Sequence, residues 1–223
     1  MNKNDYRVEK KFVITPIEMQ YCDFWLLNNG RNLIEKYPPR KVNSIYFDTY
    51  NLNHYHDNIT GLSSRSKFRL RWYGENTNDF YWEHKEKVKK YIKKNVCKIN
   101  GNTIQLNNLS NLYNKIMFQL PSNERMDFLH SPSPSAFVSY HRRYFESSSG
   151  VRLTIDSRQI LQNLWQQKKI SMSNVWLNEF VIEIKHPFDI ERKEIKFLST
   201  FPFNPSRNSK YINACNGHMD NFQ

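Results

Sequence analysis

Residues 67–73 read KFRLRWY, and the fold turns on how this stretch is read. Lys67, Arg69 and Arg71 alternate with Phe68, Leu70 and Trp72, the period-two signature of a strand with one apolar and one polar face. The polar face is entirely cationic. Side chains two residues apart on a strand stand about 6.6 to 6.8 Å from one another. At an effective dielectric of about 20, each neighbouring pair therefore repels by roughly 2 kcal/mol. A strand of this kind needs either an anion or a special neighbourhood.

Working outward, the same pattern recurs. In RVEKKFVI (Arg7 to Ile14), Arg7, Glu9 and Lys11 share one parity while Val8 and Phe12 take the other. Thr15, Pro16 and Glu18 then form a capping box with proline at the first helical position, predicting a helix through PIEMQYCDFWLLNN that Gly30 closes. VNSIYFDT (Val42 to Thr49) places Ser44, Tyr46 and Asp48 on one face, and FYWEHKEK (Phe80 to Lys87) puts Glu83, Lys85 and Lys87 in phase. The lysine-dense run from Lys87 to Lys98 reads equally as a continuing strand or as a basic loop. LSNLYNKIMFQL (Leu109 to Leu120) has helical apolar spacing, and SPSPS at 131–135 reads as a breaker. AFVSYHRRYFES and VRLTIDSR form a strand pair across the small turn SSSG, with Tyr140, Arg142 and Tyr144 in phase on one and Arg152, Thr154 and Asp156 on the other. NEFVIEIKHP is a last strand, carrying Glu183 and Lys185 in phase, before a helix in DIERKEIKFLSTF and a short helical turn in SRNSKYINAC.

The predicted architecture is α+β: an antiparallel β-barrel with a basic, charged interior, its apolar strand faces turned outward under flanking helices. The 223 residues are expected to form a single domain spanning 1–223. A net charge of +12 points to an anionic partner. A desolvated cationic cluster is stable only when an anion fills it, and arginine forks bind phosphate oxygens in bidentate fashion while lysines act as point charges. Cys22, Cys97 and Cys215 are few and widely spaced, supporting neither a disulfide framework nor a zinc site. There is no apolar run of about 20 residues and no signal-like amino terminus. The expectation is a soluble, cytoplasmic chain with no membrane segment of its own. His54, His56, His84, His141 and His186 read as surface or lining residues rather than ligands, and the tyrosines and tryptophans as core rather than as stacking platforms for RNA.

The order of E-x-K (Glu9, Lys11), SIYFDT (44–49), KFRLR (67–71), E-x-K (Glu83, Lys85), YHRRYFE (140–146), VRLTID (151–156), EFVIEIK (179–185) and SKY (209–211) resembles the VTC-type polyphosphate polymerase domain of the triphosphate tunnel metalloenzymes. The resemblance implies a tunnel in which the γ-phosphoryl group of ATP is added to a growing inorganic polyphosphate. It implies phosphate-handling roles for Lys11, Arg69, Arg71, Lys85, Arg142 and Arg152, and a metal-binding role for Glu183, with Glu9 beside it and Mn²⁺ or Mg²⁺ as the ion. Ser209 and Lys210 match the family's S-K pair, Lys67 heads the K-x-R-x-R row, and a further lysine is implied in the 93–94 region, where the run of lysines leaves the register open and Lys93 is taken. Arg7, Lys87 and Lys185 complete the in-phase cations. The implied partners are ATP and polyphosphate, with no nucleic acid and with a membrane protein as a further candidate. Where the hydrolase and cyclase branches begin E-x-E-x-K, this chain has Arg7, Glu9 and Lys11. That exchange favours a polymerase over a metal-dependent triphosphatase, and a non-catalytic polyanion-binding module stays as a further alternative.

Overall fold

The computed structural model of the chain describes residues 7–29, 33–75, 77–89, 91–170, 177–187 and 198–217. Eight strands form one sheet in the order β1-β8-β7-β6-β2-β3-β4-β5. They are β1 (Arg7–Ile14), β2 (Ile34–Asp48), β3 (Ser64–Tyr73), β4 (Asp79–Val88), β5 (Tyr91–Asn100), β6 (Ser133–Glu146), β7 (Arg152–Asn163) and β8 (Phe180–Pro187). The α-helices among the described residues include α1 (Pro16–Asn29), α2 (Asn53–Ile59), α3 (Leu112–Met117), α4 (Ser122–Phe128) and α5 (Lys210–Asn216). The antiparallel α+β architecture is the expected one. Its strand order ends at β1 and β5, and no pairing joins these two among the described residues, so hydrogen bonding does not close the sheet into a barrel.

Contacts divide the chain into two compact units. One comprises Met1–Arg40, Tyr140–Gln159 and Trp176–Asn208, the other Lys41–Ser139, Ile160–Val175 and Ser209–Gln223. The first unit is built on β1, β8 and β7. Their pairing sets Lys11 opposite Glu183 and Glu183 opposite Thr154, and likewise Glu9 opposite Lys185 and Lys185 opposite Arg152. The alternate parity of Phe12, Ile14, Ile182, Ile184, Leu153 and Ile155 is buried against Met19, Cys22 and Trp25 of α1. Helix α1 starts where the sequence says it should: Glu18 accepts from the Thr15 backbone N–H at 2.8 Å, and the Thr15 hydroxyl accepts from the Glu18 N–H at 3.3 Å. The outer edge of β1 is covered by the chain near Ser206, whose N–H donates to the Lys11 carbonyl at 2.8 Å while its hydroxyl accepts from the Val13 N–H at 3.1 Å.

The second unit carries β3, β4 and β5 with the later half of β2. Ile45, Phe47, Phe68, Leu70, Trp72, Phe80, Trp82 and Ile99 form its core with Leu112 and Ile116 of α3 and Phe128 of α4. Trp82 and Phe128 meet at 4.1 Å between ring centroids, and burying an aromatic of this size contributes about 1.5–3 kcal/mol. Gly101 follows β5 because nothing larger fits. A Cβ there would lie 1.8 Å from the Thr77 carbonyl oxygen.

Several expectations change here. Of the lysine run, Lys87 and Val88 end β4 and the part from Tyr91 onward is strand β5. The helix predicted over 109–120 is confined to Leu112–Met117, because Pro121 prevents its continuation and a separate helix, α4, begins after it. SPSPS does not stop the strand that follows, since β6 starts at Ser133. Helix α2 was not anticipated, and it is built on Asp48, as described below. Gly30 and residues 189–197 of the expected carboxyl-proximal helix lie outside the described residues.

Candidate functional site

In the second unit, register carries the electrostatics. Arg69 stands opposite Glu83, Lys67 opposite Lys85, and Lys85 opposite Lys94. Lysines directly across a ladder from one another repel, so Lys67, Lys85 and Lys94 form a lateral row of like charge. The alternate parity is the buried core, so KFRLRWY turns its apolar residues toward α3 and α4 and its cations to the opposite face, as its pattern requires. Lys67 also donates to the Ser209 hydroxyl at 3.3 Å. Ser209 caps α5 through its side chain, and Lys210 is that helix's first residue.

Glu83 is the hub of this face. Its side chain is only 5% exposed, and it accepts from Arg69 Nε at 2.7 Å and from Arg69 Nη2, with Arg71 Nη1 at 3.5 Å and Lys94 Nζ at 3.2 Å. Burial would raise its carboxyl, but the charges of Arg69, Arg71 and Lys94, helped by the Arg69 hydrogen bond, outweigh burial and hold it at about 2. The Tyr46 hydroxyl accepts from Arg69 Nη1 at 3.1 Å. There too burial pushes up, but Arg69, Arg71 and Lys67 prevail and bring the phenol down to about 8. Burial lowers the Lys94 ammonium, an effect that Glu83 opposes.

In the first unit, the in-phase cations and carboxylates alternate. Lys185 reaches Glu183 at 2.6 Å and Glu9 at 3.6 Å, and Lys11 reaches Glu9 at 3.4 Å and donates to the Asn208 carbonyl at 3.1 Å. Burial pushes the Glu183 carboxyl up, but Lys185, Lys11 and Arg142 hold it far below the usual carboxylate range. Arg142 grips fully buried Asp156 in bidentate fashion, Nε to Oδ1 at 2.5 Å and Nη2 to Oδ2 at 2.7 Å, and lies 5.0 Å from the Tyr140 ring centroid. Burial disfavours its charge, yet Asp156, Tyr140 and Glu183 keep the guanidinium firmly protonated.

The sequence-predicted residues therefore fall into two clusters. Lys67, Arg69, Arg71, Lys85 and Lys87 share one face of the second unit, with Ser209 hydrogen-bonded to Lys67. Lys11, Arg142, Glu183, Lys185 and Glu9 are linked by ion pairs in the first. Arg7 is placed in β1 opposite Pro187. Arg152 shares the parity of Lys185, but its side chain is 50% exposed and pairs with Glu146 at 3.2 Å. Two assignments are corrected. Lys93 stands opposite Glu86, on the parity of the core residues Trp82 and Ile99, and the lysine in phase is Lys94. Asp48, grouped by parity with the carboxylates of the charged face, is fully buried and committed: it accepts from the N–H groups of Thr49, His54 and Tyr55 and from the Tyr211 hydroxyl. Its role is to seat α2. Tyr46 and Asp156 belong to the charged clusters and were missed as site residues, although their strand parity pointed to them. His84, read as a surface or lining residue, is buried.

A family model for the VTC domain matches residues 6–217. The chain belongs to the VTC domain family. The VTC domain described here is also similar to a solved structure described as a candidate adenylate cyclase from Bacillus halodurans, with 14% identity, a TM-score of 0.54, and coverage of 93% of this chain and 96% of that one. At that identity the likeness speaks to the fold. A Pyrococcus horikoshii protein aligns at 14% identity with a TM-score of 0.46, over 92% of this chain and 95% of its own. No curated protein matches the chain. No helix among the described residues is long and apolar enough to cross a membrane.

Glu9 and Glu183 offer hard oxygen donors, as Mg²⁺ and Mn²⁺ prefer. The Thr154 hydroxyl, in register beside Glu183, is buried and has no hydrogen-bond partner among the described residues. The Lys185 ammonium now links the two carboxylates. The two carboxylates would suit a hard divalent ion, which would have to compete with Lys185 for them.

Proposed function

We propose that this VTC domain is an ATP-dependent inorganic polyphosphate polymerase, transferring the γ-phosphoryl group of ATP to the end of a growing chain. The observation that supports this most is the lateral lysine row Lys67, Lys85 and Lys94 beside Arg69 and Arg71. Repeating cations in register suit a ligand that repeats its negative charge along a line. Arg69 and Arg71 are held by Glu83 in fixed orientations, which lowers the ordering cost of gripping phosphate. Arg142 keeps Asp156 on its Nε and Nη2 edge, and its Nη1 edge is assigned to phosphate. Lys11, Lys185 and Arg152 add charge neutralisation, and Ser209 with Lys210 supplies a helix-capping hydroxyl and an ammonium.

The terminal phosphate of the acceptor is already an ionised nucleophile, so the protein need supply no general base. Its work is to align donor and acceptor and to neutralise the charge spread over the transferring group. A Mn²⁺ or Mg²⁺ ion held by Glu183 and Glu9, when bound, adds Lewis-acid neutralisation of the phosphate oxygens. The family match spans segments of both units, which supports one functional domain. We assign it to the cytoplasm, where a membrane protein would be the partner that moves the product away.

Incubating the purified protein with ATP and Mn²⁺ tests the reading. Phosphate chains growing with time are expected. Release of orthophosphate alone would instead identify a triphosphatase, and binding without turnover a polyanion-binding module. Arg7 in place of a first-strand glutamate weighs against the triphosphatase.

A further inference from the structure

Strand β4 carries Glu83 on one face and His84 on the other, and His84 looks toward helix α4. Its Nδ1 lies 3.3 Å from Glu124 Oε2 and 3.6 Å from Asp127 Oδ2, and the ligand atoms of the three residues lie within 4.8 Å of one another. Glu124 and Asp127 are three residues apart on α4 and so share a helix face. Both His84 and Glu124 are buried, with relative exposures of 4% and 1%. Although they face each other, neither His84 Nδ1 nor Glu124 Oε2 makes a hydrogen bond among the described residues. Two buried polar atoms of opposite character, aimed at one point and unsatisfied, are costly as they stand.

The spacing has a direct reading. Donors about 2.0–2.2 Å from a tetrahedral ion stand about 3.3–3.5 Å apart, so His84 and Glu124 have the separation of two ligands of one metal. Their outer atoms are already fixed. The His84 ring stacks on Phe68 with centroids 4.3 Å apart, and its Nε2 lies 3.4 Å from the Ser66 hydroxyl. Glu124 Oε1 accepts from Asn95 Nδ2 at 2.5 Å. Partners of this kind orient metal ligands. The Asp127 side chain, 52% exposed, leaves a route for entry and a side open to water.

We propose that His84, Glu124 and Asp127 bind a first-row divalent transition ion, for which Zn²⁺ is the probe, at a site separate from the phosphate-handling clusters. An imidazole nitrogen with two carboxylates suits Zn²⁺ and disfavours Mg²⁺, which takes oxygen ligands. The ion joins α4 to the strand that presents Glu83 and Lys85, so its role is to brace that strand from behind.

Chelator-stripped full-length protein titrated with Zn²⁺ by calorimetry tests this, with nitrogen NMR of the imidazoles as a second readout. The expected result is one Zn²⁺ bound with the Nδ1 resonance of His84 shifted, unaffected by millimolar Mg²⁺. Asp127→Asn, a change at a half-exposed side chain, should weaken binding at least about tenfold, and His84→Gln should remove the shifted resonance. Glu183→Gln should leave the Zn²⁺ affinity unchanged. Equal binding by wild type and Asp127→Asn, loss of binding on Glu183→Gln, or a saturable Zn²⁺ that leaves the His84 resonance in place would each overturn the proposal.

Discussion

The two charged clusters of this VTC domain are built on opposite plans. In the first unit, the described in-phase cations Lys11, Lys185, Arg142 and Arg152 are each paired within the set Glu9, Glu183, Asp156 and Glu146, so cations and carboxylates are matched by ion pairs. In the second, the in-phase residues of β3 to β5 are Arg65, Lys67, Arg69, Arg71, Lys85, Lys87, Lys94 and Lys98 against Asp79 and Glu83. One cluster neutralises itself and is ordered by its own ion pairs. The other carries a standing excess of positive charge, and Glu83 is the carboxylate that holds Arg69, Arg71 and Lys94 together. The difference teaches that similar strand patterns can make a self-neutralised region or one with unbalanced positive charge, according to where a few acids fall.

That contrast can be broken by mutation. Arg142→Ala takes the guanidinium away from the fully buried Asp156 carboxylate and should cost about 3–5 kcal/mol of stability, measured by chemical denaturation. Arg69→Ala should cost much less, because it relieves repulsion and leaves Arg71 and Lys94 beside Glu83. If Arg69→Ala proved as destabilising as Arg142→Ala, the two plans would not differ.

Glu83→Gln removes the hub and should cost on the order of 3 kcal/mol, because it leaves Arg69, Arg71 and Lys94 without the carboxylate that pairs them. Added tripolyphosphate should restore part of that loss by replacing the missing negative charge. The same carboxyl sets a pH window. Its folded value is depressed, so its contribution is full above about pH 4.5 and is lost as pH falls toward about 2. Denaturation across that window should show a shallower pH slope for Glu83→Gln than for wild type, while Glu183 adds its own loss at the acid end in both.

Ligand binding should separate the clusters further. Arg69→Ala or Arg71→Ala should weaken tripolyphosphate binding by about 10- to 100-fold, the loss of a charge-assisted hydrogen bond, with a smaller change in folding stability. Isothermal titration and denaturation on the same samples would show the split. The smallest effect is spectroscopic. Tyr46 ionises near 8 because Arg69, Arg71 and Lys67 overcome its burial. Tripolyphosphate on that face should raise this value by about one pH unit, read as delayed tyrosinate absorbance. An unchanged titration would place the anion elsewhere.

Much of this was legible in the order of residues, because strand parity and helix capping are local. KFRLRWY sorts its cations from its core by alternation alone, and the Thr15 and Glu18 capping box fixed the start of α1. The sequence by itself thus determined which strands are two-faced, which family they resemble, and that the charged face is basic. Only the tertiary structure decided how those strands meet. The register of β4 on β5 selects Lys94 over Lys93, a choice of one residue that alternation cannot make inside a run of lysines. Parity also placed Asp48 on the charged face without revealing that the N–H groups of α2 and the Tyr211 hydroxyl would claim its oxygens. His84 meets Glu124 and Asp127 only because α4 packs on the apolar side of β4, some forty residues along the chain. Contacts at that separation depend on packing rather than on local pattern, and a scattered histidine reads as nothing until the fold brings its ligand partners to it.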